Sequence, residues 1–96
     1  MAQYSLSPQA QQSLQQISQY TAENFGERQR KKYLKMLRDK MRHTAKNPYQ
    51  GKKRDDLKYD YYSVSAGSHH VYYRIRDIQI EIIDVLHQSM EPGLRL

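Results

Sequence analysis

None of the 96 residues is cysteine, which excludes disulfide frameworks, zinc sites built on thiolates and cysteine nucleophiles together. Long apolar runs are missing as well. No stretch approaches the roughly 18 apolar residues of a membrane-spanning helix, and Met1, Ala2, Gln3 and Tyr4 do not open a basic and apolar leader. The expectation is a cytoplasmic protein, neither secreted nor inserted in a membrane. Tryptophan is absent and phenylalanine occurs once, so the aromatic volume rests on nine tyrosines, each with a hydroxyl that needs water or a partner. Acids are scarce relative to bases, 10 against 16, for a formal charge of +6. Such a chain favours an acidic partner: nucleic acid, an acidic protein segment, or an enzyme already holding DNA. A chain this short builds one hydrophobic core, so residues 1–96 are expected to form a single domain.

Charge is also absent along the chain in one place. From Met1 to Ala22 there is no charged side chain, whereas of the 16 Lys and Arg only Arg74, Arg76 and Arg95 lie outside the span Arg28 to Lys58. The field is concentrated in the middle third.

The pattern of apolar residues divides the chain into elements. Gln3 to Leu6 reads as a short strand. Ser7 before Pro8 is a helix start, with Ser placed to cap and Pro preset for the first helical position. Ala10, Leu14, Ile17, Thr21 and Phe25 then follow at helical spacing, and Gly26 ends the helix. A second helix is expected from about Glu27 to Ala45, with Tyr33, Leu34, Leu37, Met41, Thr44 and Ala45 on one face and Lys31, Lys32 and Lys35 on a basic face. Asn47 and Pro48 stop it, and the short link between the helices makes a helical hairpin. After a polar connection from Pro48 to Asp60, three strands are expected: Tyr61 to Ser65, His69 to Ile75 and Ile78 to Leu86. Their turns are Ala66 to Ser68 and Arg76 with Asp77. The fold class is therefore α+β, in the order β-α-α-β-β-β. An N-terminal helical hairpin packs on one face of an antiparallel sheet of three to four strands, leaving the other face to expose Tyr72, Arg74 and His70.

With these elements in place, the chain resembles the ParE toxins of the RelE/ParE superfamily along nearly its whole length. The resemblance is carried by Leu6, Ser7, Ala10 and Leu14; by Ile17, Tyr20 and Thr21; and by Gly26, Gln29 and Tyr33. It continues through Asn47, Pro48 and Gly51 and through Arg54, Asp56 and Leu57. Its most specific portion runs from Gly67, Ser68 and His69 through Tyr73 and Arg74 to Ile82, Val85, Leu86, His87, Gln88, Ser89 and Met90. The sequence departs from the pattern at Ser13, where the family commonly has an acid, and at Asp84, where it often has Arg. The resemblance implies a toxin of a type II toxin-antitoxin system that poisons DNA gyrase by binding it, traps the enzyme on cleaved DNA, and is neutralised by a ParD-like antitoxin. No cofactor, no catalytic residue and no direct sequence-specific nucleic-acid binding are expected.

The alternative within the superfamily is a RelE-type ribosome-dependent mRNA endonuclease. Cleavage there needs groups that deprotonate the 2′-hydroxyl, neutralise the phosphate and protonate the leaving oxygen. Here Arg74, His70 and His87 are available, but Gln88 and Ser89 stand where a cationic cluster is expected. His69 and His70 are neighbours on a strand and point to opposite faces, so they do not share a metal ion. His87 reads first as a hydrogen-bonded residue closing the last strand and second as a catalytic one, and Arg74 as a donor to a carboxylate such as Asp84. For binding, the candidate gyrase contacts are Arg74, His87, Gln88, Ser89 and Met90, including a mobile tail to Leu96. The candidate antitoxin groove is lined by Tyr20, Leu34, Leu37, Tyr72 and Tyr73, and receives an acidic amphipathic segment.

Overall fold

In the structure, a computed structural model that describes residues 3–96, the chain folds around the junction of the first strand and the first helix. Strand β1 (Gln3–Leu6) runs into helix α1 (Pro8–Phe25) through Ser7, whose side chain accepts a hydrogen bond from the Ala10 N–H at 3.0 Å and so caps the helix. The same hydroxyl donates to the Ile83 carbonyl at 2.6 Å, and the Ser7 N–H donates to Ile82 at 3.0 Å. One residue thus fixes the helix start to a strand more than seventy positions away.

Gly26 stands between α1 and helix α2 (Glu27–Lys46) with φ +89°, a conformation that L side chains rarely adopt. Its N–H bonds to Ala22 and its carbonyl accepts from Arg30, both at 3.0 Å. The link of one residue folds the helices back on each other, and Arg30 Nη1 donates across to Ser18 Oγ at 3.3 Å.

Four further strands follow: β2 (Lys52–Lys53), β3 (Tyr61–Ala66), β4 (His69–Arg76) and β5 (Gln79–His87). The spatial order is β1-β5-β4-β3-β2. This corrects the expected antiparallel sheet of three to four strands, because the sheet has five and is mixed. β1 pairs in parallel with β5, from Gln3 opposite Gln79 to Leu6 opposite Ile82, and the two-residue β2 adds an edge beside β3. The parallel pair arises because a helical hairpin lies between the two strands in sequence, a crossover that local alternation does not report. β5 lies inside the sheet, as its Ile content implied. The second turn also shifts by one residue: Asp77 and Ile78 make it, with Asp77 at φ +48°, so that Ile78 is 83% exposed instead of opening the last strand.

The core fills the space between hairpin and sheet. α1 contributes Ala10 and Ile17, α2 contributes Leu37, Met41 and Ala45, and the sheet contributes Val71, Tyr73, Ile80, Ile82 and Val85. Tyr73 is fully buried, its hydroxyl donates to the Pro48 carbonyl at 2.7 Å, and burial pushes that hydroxyl up to about 12. Gly51 makes room for it, since a Cβ there would overlap the Tyr73 hydroxyl.

Along β5 the residues facing the helices change parity, from Ile80 and Ile82 to Val85. A bulge opposite Tyr72 and Tyr73 causes the change. Asp84 sits at this irregularity, buried, accepting from Ser13 Oγ of α1 at 2.5 Å and from the Val85 N–H at 2.8 Å. Arg74 therefore pairs with Glu81 at 2.9 Å, not with Asp84. The opposite sheet face is also less open than its pattern implied. Tyr72 is only 3% exposed, with the Arg54 guanidinium 5.7 Å from its ring centroid.

Candidate functional site

Two clefts flank the helical hairpin. The first, of about 650 Å³, lies between α1 and the end of the β4-β5 pair. Val85 and Leu86 line it from the sheet, Ile17, Tyr20 and Phe25 from α1, and Met90 from the segment after β5. Tyr20 and Phe25 stand 62% and 65% exposed and meet edge to face, with ring centroids 6.4 Å apart. Phe25 was expected on the buried side of α1, and its spacing is right, but at the helix end nothing covers it. Large apolar rings held this openly beside a concave surface are a partner-binding signature.

The rim of this cleft is a chain of polar contacts. The Ser68 N–H donates to the Tyr33 hydroxyl at 3.0 Å, and that hydroxyl shares a hydrogen bond with Nδ1 of His69 at 2.6 Å. Burial, with His87 and His70 close by, pulls the His69 imidazole down to about 4, so the ring is neutral near pH 7. The His69 and His87 rings meet edge to face at 5.3 Å. Nδ1 of His87 accepts the Ser89 N–H at 3.1 Å and lies 2.7 Å from Ser89 Oγ, which ties the end of β5 to the turn that follows. That tail is not a loose extension. Pro92–Leu94 forms a 3₁₀ turn capped by Glu91, and Leu96 N–H bonds to Pro92 at 2.9 Å.

The second cleft, of about 550 Å³, lies over β1 and between the helices. Tyr4, Leu6, Leu14, Leu34, Leu37 and Met41 line it, with Arg30 and Arg38 among the polar residues.

The residues expected to bind the antitoxin do not line one groove. Tyr20 belongs to the first cleft and Leu34 and Leu37 to the second. Leu37 is nearly all buried, Tyr73 is core, and Tyr72 is covered on the far sheet face. Of the expected gyrase contacts, His87, Ser89 and Met90 come together at the first cleft, and Gln88 is exposed between them. Arg74 is on the opposite sheet face in its Glu81 ion pair. Lys31, Lys32 and Lys35 are all exposed on α2. Phe25 and Gln29 also line the first cleft, although neither is expected from sequence to bind a partner, and Arg95 of the tail joins them; the signal for Phe25 is its place as the last apolar residue before Gly26.

The groups weighed for catalysis are dispersed. His70 is 3.4 Å from Ser65 Oγ, Arg74 is paired with Glu81, and His87 is held by Ser89 at the first cleft. His69 reaches Tyr33 on α2 while its neighbour His70 contacts β3, so the two do point to opposite faces. Among the described residues no group of three His, Cys, Asp or Glu is placed to hold a metal ion, and no helix is long and apolar enough to cross a membrane.

Residues 4–92 match the family described as ParE toxin of type II toxin-antitoxin system, parDE. Toxin ParE1 of Mycobacterium tuberculosis is 36% identical over 94 residues, covering 97% of this chain and 96% of the relative. Toxin ParE1 of Caulobacter vibrioides is 36% identical over 96 residues, covering 100% of this chain and 99% of the relative. A solved structure titled Chromosomal ParDE TA system from P. aeruginosa shares the fold, with a TM-score of 0.78 over 91% of this chain and 96% of that one at 13% identity.

Proposed function

This chain belongs to the ParE toxin family of type II toxin-antitoxin systems, and we propose that it acts in the cytoplasm by binding DNA gyrase, without breaking bonds itself, until a ParD-like antitoxin covers it. The observation that carries this reading is the first cleft, where Tyr20, Phe25 and Met90 stay exposed beside His87 and Ser89. Exposed rings around a concave floor supply the apolar anchors on which protein interfaces depend. The dispersal of His70, Arg74 and His87 supports the same reading, since phosphodiester cleavage needs its acid, base and cation at one point.

Gyrase is contacted by His87, Gln88, Ser89 and Met90 at the end of β5. The antitoxin lays an acidic amphipathic segment over Tyr20 and Phe25, and a continuation reaches Leu34 in the second cleft. Both partners then need the first cleft, so neutralisation is direct exclusion. Arg74, on the far sheet face, lies outside this shared surface.

A paired assay tests the reading. Purified protein is added to gyrase with plasmid DNA, and separately to ribosomes holding a message. Accumulation of cleaved plasmid that is suppressed by the antitoxin is the expected result. Cleavage of the message with gyrase untouched would establish the RelE-type alternative and end this proposal.

A further inference from the structure

Helix α2 carries nine Lys and Arg against two acids, Glu27 and Asp39. Their arrangement is more informative than their number. On a helix of 3.6 residues per turn, Arg28, Lys31, Lys32, Lys35, Arg42 and Lys46 all fall within about 60° of one line, over a length of about 27 Å. The buried residues Leu37, Met41, Thr44 and Ala45 lie on the other side of the helix. All six cations are exposed. Among the described residues Arg28, Lys31, Lys32 and Lys46 form no ion pair; Asp39, on the same line, pairs with Lys35 at 2.8 Å and with Arg42 at 3.5 Å.

We propose that this row is a binding surface for the phosphate backbone of duplex DNA. The choice of occupant follows from what the row lacks. No large apolar side chain interrupts it, because every such residue of α2 turns toward the core or the clefts, and the one ring at its edge is the exposed imidazole of His43. A protein partner needs apolar anchors to bind, and the clefts beside the hairpin provide them elsewhere on the molecule. Single-stranded nucleic acid is held by stacking successive bases on a series of aromatic rings, whereas this side of α2 carries the His43 imidazole alone. What remains is a straight, rigid row of cations spaced about 5 Å apart on average, suited to a rigid polyanion bearing a phosphate about every 3.4 Å along each strand. Binding of this kind is indifferent to sequence and steeply salt-dependent. Asp39 reduces it from within by occupying Lys35 and Arg42. The surface stands apart from the first cleft, so the inference holds whether or not gyrase is the target.

The test is fluorescence anisotropy of a labelled 30-base-pair duplex with the purified protein between 50 and 200 mM salt, with the fold of each variant checked by its thermal midpoint. If about four phosphates are engaged, affinity falls roughly a hundred-fold across that range. The triple variant Lys31→Gln, Lys32→Gln, Lys46→Gln should weaken binding at least about ten-fold at 50 mM salt and flatten the salt slope by two to three. A charge-matched control, Lys52→Gln, Lys53→Gln, Lys58→Gln, should lose less than about three-fold, which separates a placed surface from net charge. Asp39→Asn should tighten binding and steepen the slope by about one. The proposal is overturned if duplex is not bound at 50 mM salt, if the two triple variants weaken binding equally, or if Asp39→Asn has no effect. It is equally overturned if a single-stranded RNA or a polyglutamate peptide binds more tightly than the duplex.

Discussion

The two helices of the hairpin lie in one layer over one sheet, yet their outward sides have almost nothing in common. α1 turns a run of Gln to solvent and has Glu23 as its one charged residue; α2 turns out a row of Lys and Arg. Their inward sides are alike, with Ala10 and Ile17 from one and Leu37, Met41 and Ala45 from the other closing the same core. The difference teaches that the buried stripe specifies the helix and its packing, while the outer stripe is free to carry function. The α1 side joins an apolar cleft suited to proteins, and the α2 side presents a polar row suited to phosphates.

The largest expected effect lies on the side the helices share. Leu37→Ala, at a position 1% exposed, should cost about 3 kcal/mol in urea unfolding, from lost transfer energy and the cavity left behind. A loss under about 1 kcal/mol would mean that α2 packs more loosely than α1, and the likeness of their inner sides would break.

Next comes the contact between α1 and the β5 bulge. Ser13→Ala removes a donor to buried Asp84 and should cost about 2 kcal/mol by thermal or urea unfolding. Ser13 and Asp84, the two positions that the sequence reading sets apart from the ParE resemblance, meet in the fold as a single contact.

A smaller effect is tied to pH. The imidazole of His69 is held down at about 4 by burial and its histidine neighbours, while in the unfolded chain it titrates near 6.5. Between those values the unfolded state binds the extra proton, so stability is intact above about pH 6.5 and is lost as pH falls toward 4. The full shift would be worth about 3 kcal/mol, and partial exposure of the ring reduces this to about 1.5 kcal/mol. Unfolding curves at pH 7 and 5 should diverge in the wild type and draw together in His69→Gln. An unchanged divergence in that variant would assign the pH dependence to other groups.

Much of this contrast was legible in the chain itself. Ser7 and Pro8, then Gly26, bounded α1, and the charge-free opening followed by the basic middle third already separated the outer sides of the helices. What escaped was non-local. β1 pairs with β5 across the whole hairpin, and no local pattern carries that. Helical spacing gave the direction of Phe25 but not whether anything stood opposite it. Alternation placed Tyr72 on the far sheet face, but not the Arg54 side chain lying over it. The parity change from Ile80 and Ile82 to Val85 was a visible sign of the bulge, and it explains why Asp84 meets α1 instead of Arg74. The expected antitoxin groove failed to assemble for the same reason: periodicity reports which way a side chain points, and a groove depends on what surrounds it.

The smallest effect tests whether the charged row costs its helix anything. Lys32 has Arg28 four residues before it and Lys35 three residues after it, with no acid at either spacing. Like charges at these separations oppose the helix by a few tenths of a kcal/mol per pair. Lys32→Gln should therefore stabilise the protein by about 0.3 kcal/mol in low salt, and the gain should fade as about 1 M salt screens the pair. On α1, Gln12 has Pro8, Gln9, Gln15 and Gln16 at the corresponding positions, so Gln12→Lys meets no charge and should leave stability unchanged at any salt. A salt-independent gain from Lys32→Gln would point to helix propensity instead of repulsion. The opposite sign would mean that the row is relieved by contacts with carboxylates outside the helix.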